Sequence, residues 1–228
     1  MRDARIVNCT HEVERLAEEA LGRGRRDEEA LAGLMAAIEA RVQAVLLSER
    51  PDCEARQACA HGCATCCTVN VGTLAIEGAA AAAWLRQRSG PGETGQRAAE
   101  LLRFHGGVRW LDDGERIRAR VRCPFVDSAG GCAIHPVRPL ACRGLSSLDA
   151  GECRQALEER GEEDGPGLIR MNLLQKALYD GALDALEGVL ARRGLDARRR
   201  DVSGMAGYFL ADSGHADAWA AGVPVGIE

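Results

Sequence analysis

The sequence is short of aromatic residues, of positive charge and of long apolar runs. Aromatic residues make up 4% of the 228, so the core must be built mainly from Leu, Ala and Val, which favours helices. The formal net charge of -5 gives no overall attraction to phosphate backbones, so we expect no general nucleic-acid binding. The most apolar run, 78–85, is far shorter than the roughly 20 residues of a membrane-spanning helix. We therefore expect no membrane association.

A secretory signal and a nucleotide-binding fingerprint are also lacking. Residues 1–5 lead into a Glu-rich segment without an apolar core, so we expect a cytoplasmic protein. Gly22-Arg-Gly24 and Gly165-Pro-Gly167 lack the flanking strand and the spacing of a dinucleotide-binding loop, so a nicotinamide or flavin Rossmann site is unsupported. A reducing cytosol would keep the ten cysteines as thiols. Metal binding or redox chemistry therefore explains their number better than disulfides do.

Most of the chain has the periodicity of amphipathic helices. Segment 27–50 places apolar residues at spacings of three, four and seven, with Asp27 in the N-cap position and Pro51 at the end. Similar patterns predict further helices over 11–21, 73–88, 95–104 and within 167–194.

These patterns predict a mainly helical protein that forms a single domain over 1–228. Residues 53–155, which contain nine of the ten cysteines, would form a metal-binding core. The helices of 1–50 and 167–228 would flank this core and pack around it.

Residues 115–135 are the exception to the helical pattern. Arg118, Arg120 and Arg122 alternate with apolar residues, which is the period of a strand with one solvated face. The segment 127–131 supplies turn residues, and 132–135 would form the returning strand. We therefore predict a small β-hairpin near 115–135, with Cys123 and Cys132 close to the strand ends.

Four cysteines lie within nine residues, at positions Cys59, Cys63, Cys66 and Cys67. At about 100° per residue, a helical backbone would present all four on one side, and a loop could converge them equally well. The adjacent Cys66 and Cys67 cannot both easily point at one small ion, which favours a cluster or two neighbouring metals. By contrast, Cys9 and Cys53 fit the role of buried small hydrophobic residues.

A second group of cysteines is dispersed over Cys123, Cys132, Cys142 and Cys153, with eight, nine and ten intervening residues. These intervals are too long for one compact chelating loop, so the four thiols must converge through folding. Eight thiolates could hold two four-sulfur sites, or one cluster with the remaining thiols serving redox chemistry or a zinc ion.

Arginines are concentrated around the second group. Seven arginines and three acidic residues give residues 116–154 a local charge of +4 in an acidic chain. They could offset the negative charge of a thiolate-ligated cluster, or hold a carboxylate or phosphate of a substrate. Arg138 and Arg143 flank Cys142 and are candidate substrate-binding residues. His135 could be a metal ligand, a proton carrier or a partner of the local backbone.

Two separated segments resemble the YkgJ-type cysteine-cluster family, whose domain is called CxxCxxCC. Cys59-Ala-His-Gly-Cys63-Ala-Thr-Cys66-Cys67 resembles the opening motif, with three residues instead of two in the first interval. It is followed by a Val-rich step, 68–71, and an acidic helix start. The second segment contains Cys123-Pro-Phe-Val and Arg138-Pro-Leu-Ala-Cys142-Arg143. The resemblance covers roughly 53–155.

This resemblance implies a zinc- or iron-chelating domain, with an Fe-S cluster as one form that the bound metal could take. It implies seven metal ligands, with Cys153 as the natural eighth: Cys59, Cys63, Cys66, Cys67, Cys123, Cys132 and Cys142. The expected cofactor is one or two Fe-S clusters, of 4Fe-4S type, with zinc as the alternative.

Three functions stay open at this point. The first is an Fe-S protein with a redox role, whose electrons come from a protein partner because no second cofactor site is visible. The second is a zinc-binding structural or interaction module. The third is a cluster-dependent enzyme that modifies a protein substrate, since a similar cluster occurs in a flagellin lysine N-methylase. The resemblance assigns no catalytic residue.

Overall fold

The computed structural model describes residues 3–22, 27–48, 57–60, 62–90, 92–157 and 167–227. The helices of this part of the chain are α1 (Ala4–Gly22), α2 (Glu28–Ser48), α3 (Ala75–Arg86), α4 (Glu93–Val108), α5 (Asp113–Arg118), α6 (Leu140–Gly144), α7 (Ala150–Leu157), α8 (Leu173–Arg192), α9 (Val202–Ala211) and α10 (Gly214–Ala220). Two short strands, β1 (Gly72–Thr73) and β2 (Arg200–Asp201), pair antiparallel. The prediction of a mainly helical fold is confirmed.

The helices pack in two groups that share α2 as a common neighbour. In the first group α1 and α2 pack against each other and against α8, which also contacts α6. In the second group α3 and α4 both pack against α9, and α3 contacts α2. Leu186, Ile38 and Met205 are fully buried in one continuous apolar core. The single-domain organisation remains a prediction.

Helix α2 forms where the sequence predicts it. The carboxylate of Asp27 accepts a 2.9 Å hydrogen bond from the backbone N–H of Ala30, which is the expected N-cap contact. By length and composition, α2 is the one helix of the described segments that could cross a membrane, a feature missed by considering only 78–85. Its buried stripe packs against α1, α3 and α8 in this structure, and includes Leu31, Leu34, Ile38, Val42, Val45 and Leu46.

The start of helix α3 is capped by the side chain of Glu77. Its Oε2 accepts a 2.8 Å hydrogen bond from the backbone N–H of Leu74, the residue before the helix. Further along, a Cβ atom at Gly78 would lie 2.7 Å from Cβ of Met205. Only glycine allows α3 and α9 to approach this closely, so this contact fixes the position of α3 in the second helix group.

The first strand of the hairpin predicted near 115–135 is wrong, because the helix α5 covers Asp113–Arg118 and Arg120 lies just beyond its end. The carboxylate of Asp112 accepts a 2.7 Å bond from the N–H of Glu115, and Glu115 accepts a 2.8 Å bond from the N–H of Asp112. This reciprocal capping box starts α5, and Arg120 at φ 53° ends it. The capping box and the left-handed residue determine the local structure here. The short alternation of arginines does not predict a strand.

The predicted hairpin is reduced to its turn and a single antiparallel bridge. The backbone N–H of Asp127 donates a 2.9 Å bond to the carbonyl of Gly131, and one antiparallel bridge joins Val126 to Cys132. The two-stranded sheet of the described residues instead pairs Gly72 with Asp201 and Thr73 with Arg200. It lies between the end of the first cysteine segment and the start of α9.

The other predicted helices are present with shifted ends. Segments 11–21, 73–88, 95–104 and 167–194 correspond to α1, α3, α4 and α8. No separate helices were predicted at α6 and α7, and α9 and α10 lie within 167–228, where flanking helices were expected without bounds. Two of these, α6 and α9, position residues of the site described next.

Candidate metal centre

Within the described part of the chain, seven cysteines line one cavity of about 410 Å³: Cys59, Cys63, Cys66, Cys67, Cys123, Cys132 and Cys142. They come from two segments of the chain, the first ending before β1 and the second running from α5 to α6. The first segment converges as a series of turns and not as a helix, with the N–H of Cys67 bonded to the carbonyl of Ala64 at 3.0 Å. Folding thus brings together the compact and the dispersed cysteine groups.

Main-chain hydrogen bonds join the two segments. The N–H of Cys123 donates to the carbonyl of Cys67 at 2.7 Å, and the N–H of Ala58 donates to the carbonyl of Ser147 at 2.8 Å. The N–H of Ser147 in turn donates to Sγ of Cys59 at 3.3 Å. The wall of the cavity is therefore held largely by backbone atoms.

Two glycines form a close crossing at the edge of the cavity. Gly62 and Gly130 both line the cavity and have positive φ values of 85° and 78°. A Cβ atom at Gly130 would lie 2.6 Å from the carbonyl oxygen of Gly62, which is too close for any side chain. The carboxylate of Asp127 fixes this turn by accepting the N–H groups of Ala129 and Gly131, each at 2.8 Å. The crossing sets the distance between the two segments.

Glu77 positions the helix that carries Cys142. Besides capping α3, its Oε1 accepts a 2.7 Å hydrogen bond from the N–H of Leu140, the first residue of α6. Burial raises the pKa of Glu77 to about 7, although the N–H groups of Leu140 and Leu74 oppose this rise. This buried carboxyl therefore connects the core helix α3 to the second cysteine segment.

The environment of the cavity favours protonated thiols. Burial raises the pKa of Cys123 to about 11, and it also raises the pKa of Cys132 and Cys142. The pKa of Cys66 is raised first by the hydrogen bond with Cys67 and then by burial. A metal must displace these protons, because the thiolate is the ligand.

The seven thiols that line the cavity are suitable ligands for a metal ion or cluster that prefers sulfur. Thiolate sulfur is the donor that holds both zinc and Fe-S clusters. Among the residues that the structure describes, no three Cys, His, Asp or Glu side chains converge on a single ion position. The seven thiols instead surround a shared space, whose apolar walls include Phe125, Ile134 and Val202.

Two further cysteines of the described segments, Cys9 and Cys153, lie outside the cavity lining. Cys153 lies on α7, is half-buried, and is close enough to contribute to the raised pKa of Cys59, whose largest cause is burial. Cys9 is 1% exposed in the core face of α1, as expected of a buried small hydrophobic residue. Cys53 lies outside the described residues.

The three candidate substrate-binding residues have different positions. Arg138 lines the cavity, and His135 lines it from an exposed position. Arg143 does not line it. Its Nη1 donates to Oε1 of Glu39 at 2.8 Å, and its Nη2 donates to the carbonyl of Pro136 at 2.7 Å. Arg143 thus ties α6 to α2, and its guanidinium is already engaged.

Sequence reasoning missed the role of Arg116 in the site. This residue entered only the local charge count, yet its side chain is 2% exposed and lines the cavity. Its Nη1 donates to Oδ1 of Asn70 at 2.8 Å and to Oδ2 of Asp201 at 3.1 Å. The capping signal at Asp112 and Glu115 could have placed Arg116 on a helix, but no local pattern predicts its burial.

Comparison with known proteins gives one finding. Residues 58–159 match the family model CxxCxxCC, whose description is "Putative zinc- or iron-chelating domain". Neither the search of curated proteins nor the search of solved structures finds a match. The matched residues contain all seven cysteines of the cavity lining and Cys153.

Proposed function

We propose that the chain binds an Fe-S cluster in its cysteine cavity. Residues 58–159 belong to the CxxCxxCC family, which supports metal binding there. The observation that carries the proposal is the meeting of seven thiols from two segments around one space of about 410 Å³. The adjacent Cys66 and Cys67 support more than one metal atom, because neighbouring side chains cannot easily point at the same small ion. A 4Fe-4S cluster is the form we favour over zinc.

The position of the cavity supports a redox role. Cys59 and Cys63 are exposed, whereas Cys123 and Cys142 lie deeper. An Fe-S cluster supplies electron transfer when bound. The chain's own residues would bind it through thiolates and exclude water on the inner side with Phe125. The exposed side would face a protein that donates or accepts electrons.

Metal and sulfide analysis tests this proposal. The full chain is purified without oxygen, and its iron, acid-labile sulfide and zinc are measured together with its absorption spectrum. We expect iron and sulfide in similar amounts and a broad visible absorption that bleaches on reduction. One or two equivalents of zinc, with neither iron nor sulfide, would overturn the Fe-S proposal and favour the zinc-binding structural module.

A further inference from the structure

A buried cation lies at the wall of the cysteine cavity. Arg116 is 2% exposed, and only its Nη1 makes the bonds to Asn70 and Asp201 described above. Its Nε is also buried and has no hydrogen-bond partner among the described residues. A buried charged group with an unbonded N–H is costly unless something in its surroundings compensates it. Arg116 lines the cavity, so compensation can come from there.

Asp201 is the anionic partner of this cation. It caps α9, where its Oδ1 accepts a 2.9 Å bond from the N–H of Ser203, and its side chain is 9% exposed. Burial opposes ionisation, but the neighbouring ring of His105, the hydrogen bonds from Ser203 and the charge of Arg116 hold the pKa of Asp201 below its ordinary value. Asp201 is therefore ionised at neutral pH and offsets part of the charge of Arg116.

The two charges act on the thiols with opposite sign. Arg116 lines the same cavity as Cys123, and Asp201 is bonded to Nη1 of Arg116 at 3.1 Å without lining the cavity. Neither residue is a candidate ligand, since a guanidinium has no free electron pair to donate and Asp201 does not line the cavity. A thiolate-rich metal centre is anionic, and at low effective dielectric such charges are felt across the cavity wall.

We propose that Arg116 is the counter-cation of the metal centre, and that the negative charge of Asp201 reduces the attraction between Arg116 and the thiolates. This proposal rests on the proposed metal-binding function and adds the residues that tune the site. In an ordinary buried ion pair, removal of either partner would weaken metal binding through loss of stability. For the Arg116–Asp201 pair, the two removals should change metal affinity in opposite directions. Loss of the cation weakens metal binding, and loss of the anion strengthens it.

Binding of Co²⁺ to the full chain tests this difference. The thiolate-to-metal absorption is followed while a chelator competes for the metal, for the original chain, Arg116→Met and Asp201→Asn. We expect Arg116→Met to bind Co²⁺ about 10- to 100-fold more weakly, the usual range for residues just outside a ligand set. Asp201→Asn should bind more tightly, since Asn keeps the helix cap but removes the charge. Weaker or unchanged binding in Asp201→Asn would overturn the proposal.

A double variant keeps the test valid if Arg116→Met folds poorly. Arg116→Met alone leaves Asp201 buried without its cation, which destabilises the fold. Arg116→Met with Asp201→Asn removes both charges, so its comparison with Asp201→Asn alone isolates the effect of Arg116. We expect the double variant to bind Co²⁺ more weakly than Asp201→Asn. Equal binding by these two variants would overturn the proposal.

The variant Arg86→Met is the matched control for Arg116→Met. Arg86→Met removes another partly buried arginine, which pairs with Glu28 outside the cavity lining, and it should leave Co²⁺ affinity unchanged. A similar loss in Arg86→Met would show that any broken ion pair weakens binding, against the role given to Arg116. Absence of thiolate-to-Co²⁺ absorption in the original chain would overturn the tuning role, whereas the Fe-S proposal is decided separately by the iron and sulfide analysis of the same chain.

Discussion

The backbone N–H of Cys123 donates a 2.7 Å hydrogen bond to the carbonyl oxygen of Cys67. This bond joins the last cysteine of the compact group to the first cysteine of the dispersed group. Because it uses main-chain atoms, it persists when either side chain is replaced. The two cysteine segments should therefore stay together in single-cysteine variants, and loss of metal in such variants would report on the thiol and not on the fold.

Replacement of Gly130 by Ala should disrupt the cavity. The added Cβ would lie 2.6 Å from the carbonyl oxygen of Gly62, and the positive φ of 78° is strained for alanine. We expect about 1–3 kcal/mol of destabilisation and a loss of bound metal, measured by thermal unfolding and metal analysis. Gly95→Ala, at an open position of α4, is the control and should be neutral or slightly stabilising. Normal metal content in Gly130→Ala would show that the crossing does not hold the site.

Glu77→Gln should weaken the link between α3 and α6. The carboxylate accepts N–H groups with both oxygens, whereas an amide has only one oxygen, so Leu74 or Leu140 would lose its acceptor. A buried unbonded N–H costs about 1–3 kcal/mol in the free energy of unfolding, measurable by denaturant titration. Glu100→Gln, on a partly exposed side chain of α4, should change stability by less than about 0.5 kcal/mol. Equal effects of the two substitutions would contradict the positioning role of Glu77.

The long helices and the meeting of the two cysteine segments could be predicted from the sequence. The buried polar contacts could not. Apolar periodicity located α2 and α8 because their buried stripes repeat within the helix itself. The family motif located the seven lining cysteines. Arg116 and Asp201 are 85 residues apart, and nothing local to either residue shows that they meet.

The wrong prediction of a strand through Arg118 and Arg120 also came from reliance on a local pattern. The alternation around Arg118 and Arg120 suggested a strand, but the decisive contacts are the capping box of Asp112 with Glu115 and the left-handed turn at Arg120. Periodicity over so few residues carries less information than a helix cap does. The short β1–β2 pairing joins residues more than a hundred positions apart, so no local pattern could have predicted it.

Without metal, stability should fall as the solution becomes alkaline. Burial raises the pKa of Cys123 from an ordinary 9.0 to about 11. Between these values the unfolded chain loses the proton while the folded chain keeps it, so the free energy of unfolding decreases as pH rises. The thermal midpoint of chelator-treated protein should therefore fall between pH 9 and 11, and fall less in Cys123→Ser. A midpoint that rises over this range would contradict the burial of this thiol.

Cys142 and Cys153 should differ in their effect on metal content. Cys142 lines the cavity on α6, whereas Cys153 on α7 lies outside the lining. We expect Cys142→Ser to lose most of the bound metal and Cys153→Ser to keep most of it, by elemental analysis of protein purified without oxygen. A comparable loss in Cys153→Ser would instead support Cys153 as the eighth ligand that the family resemblance implies.

The central claim is that both cysteine segments hold one metal centre. The most direct test measures metal per chain in Cys67→Ser, in Cys123→Ser and in the double variant, with Cys9→Ser as the control in the core of α1. If the centre is shared, each single variant loses the same metal, the double variant loses no more than either single one, and Cys9→Ser keeps it all. If each single variant lost about half of the metal and the double variant lost the sum, the segments would hold separate sites and the account would be contradicted.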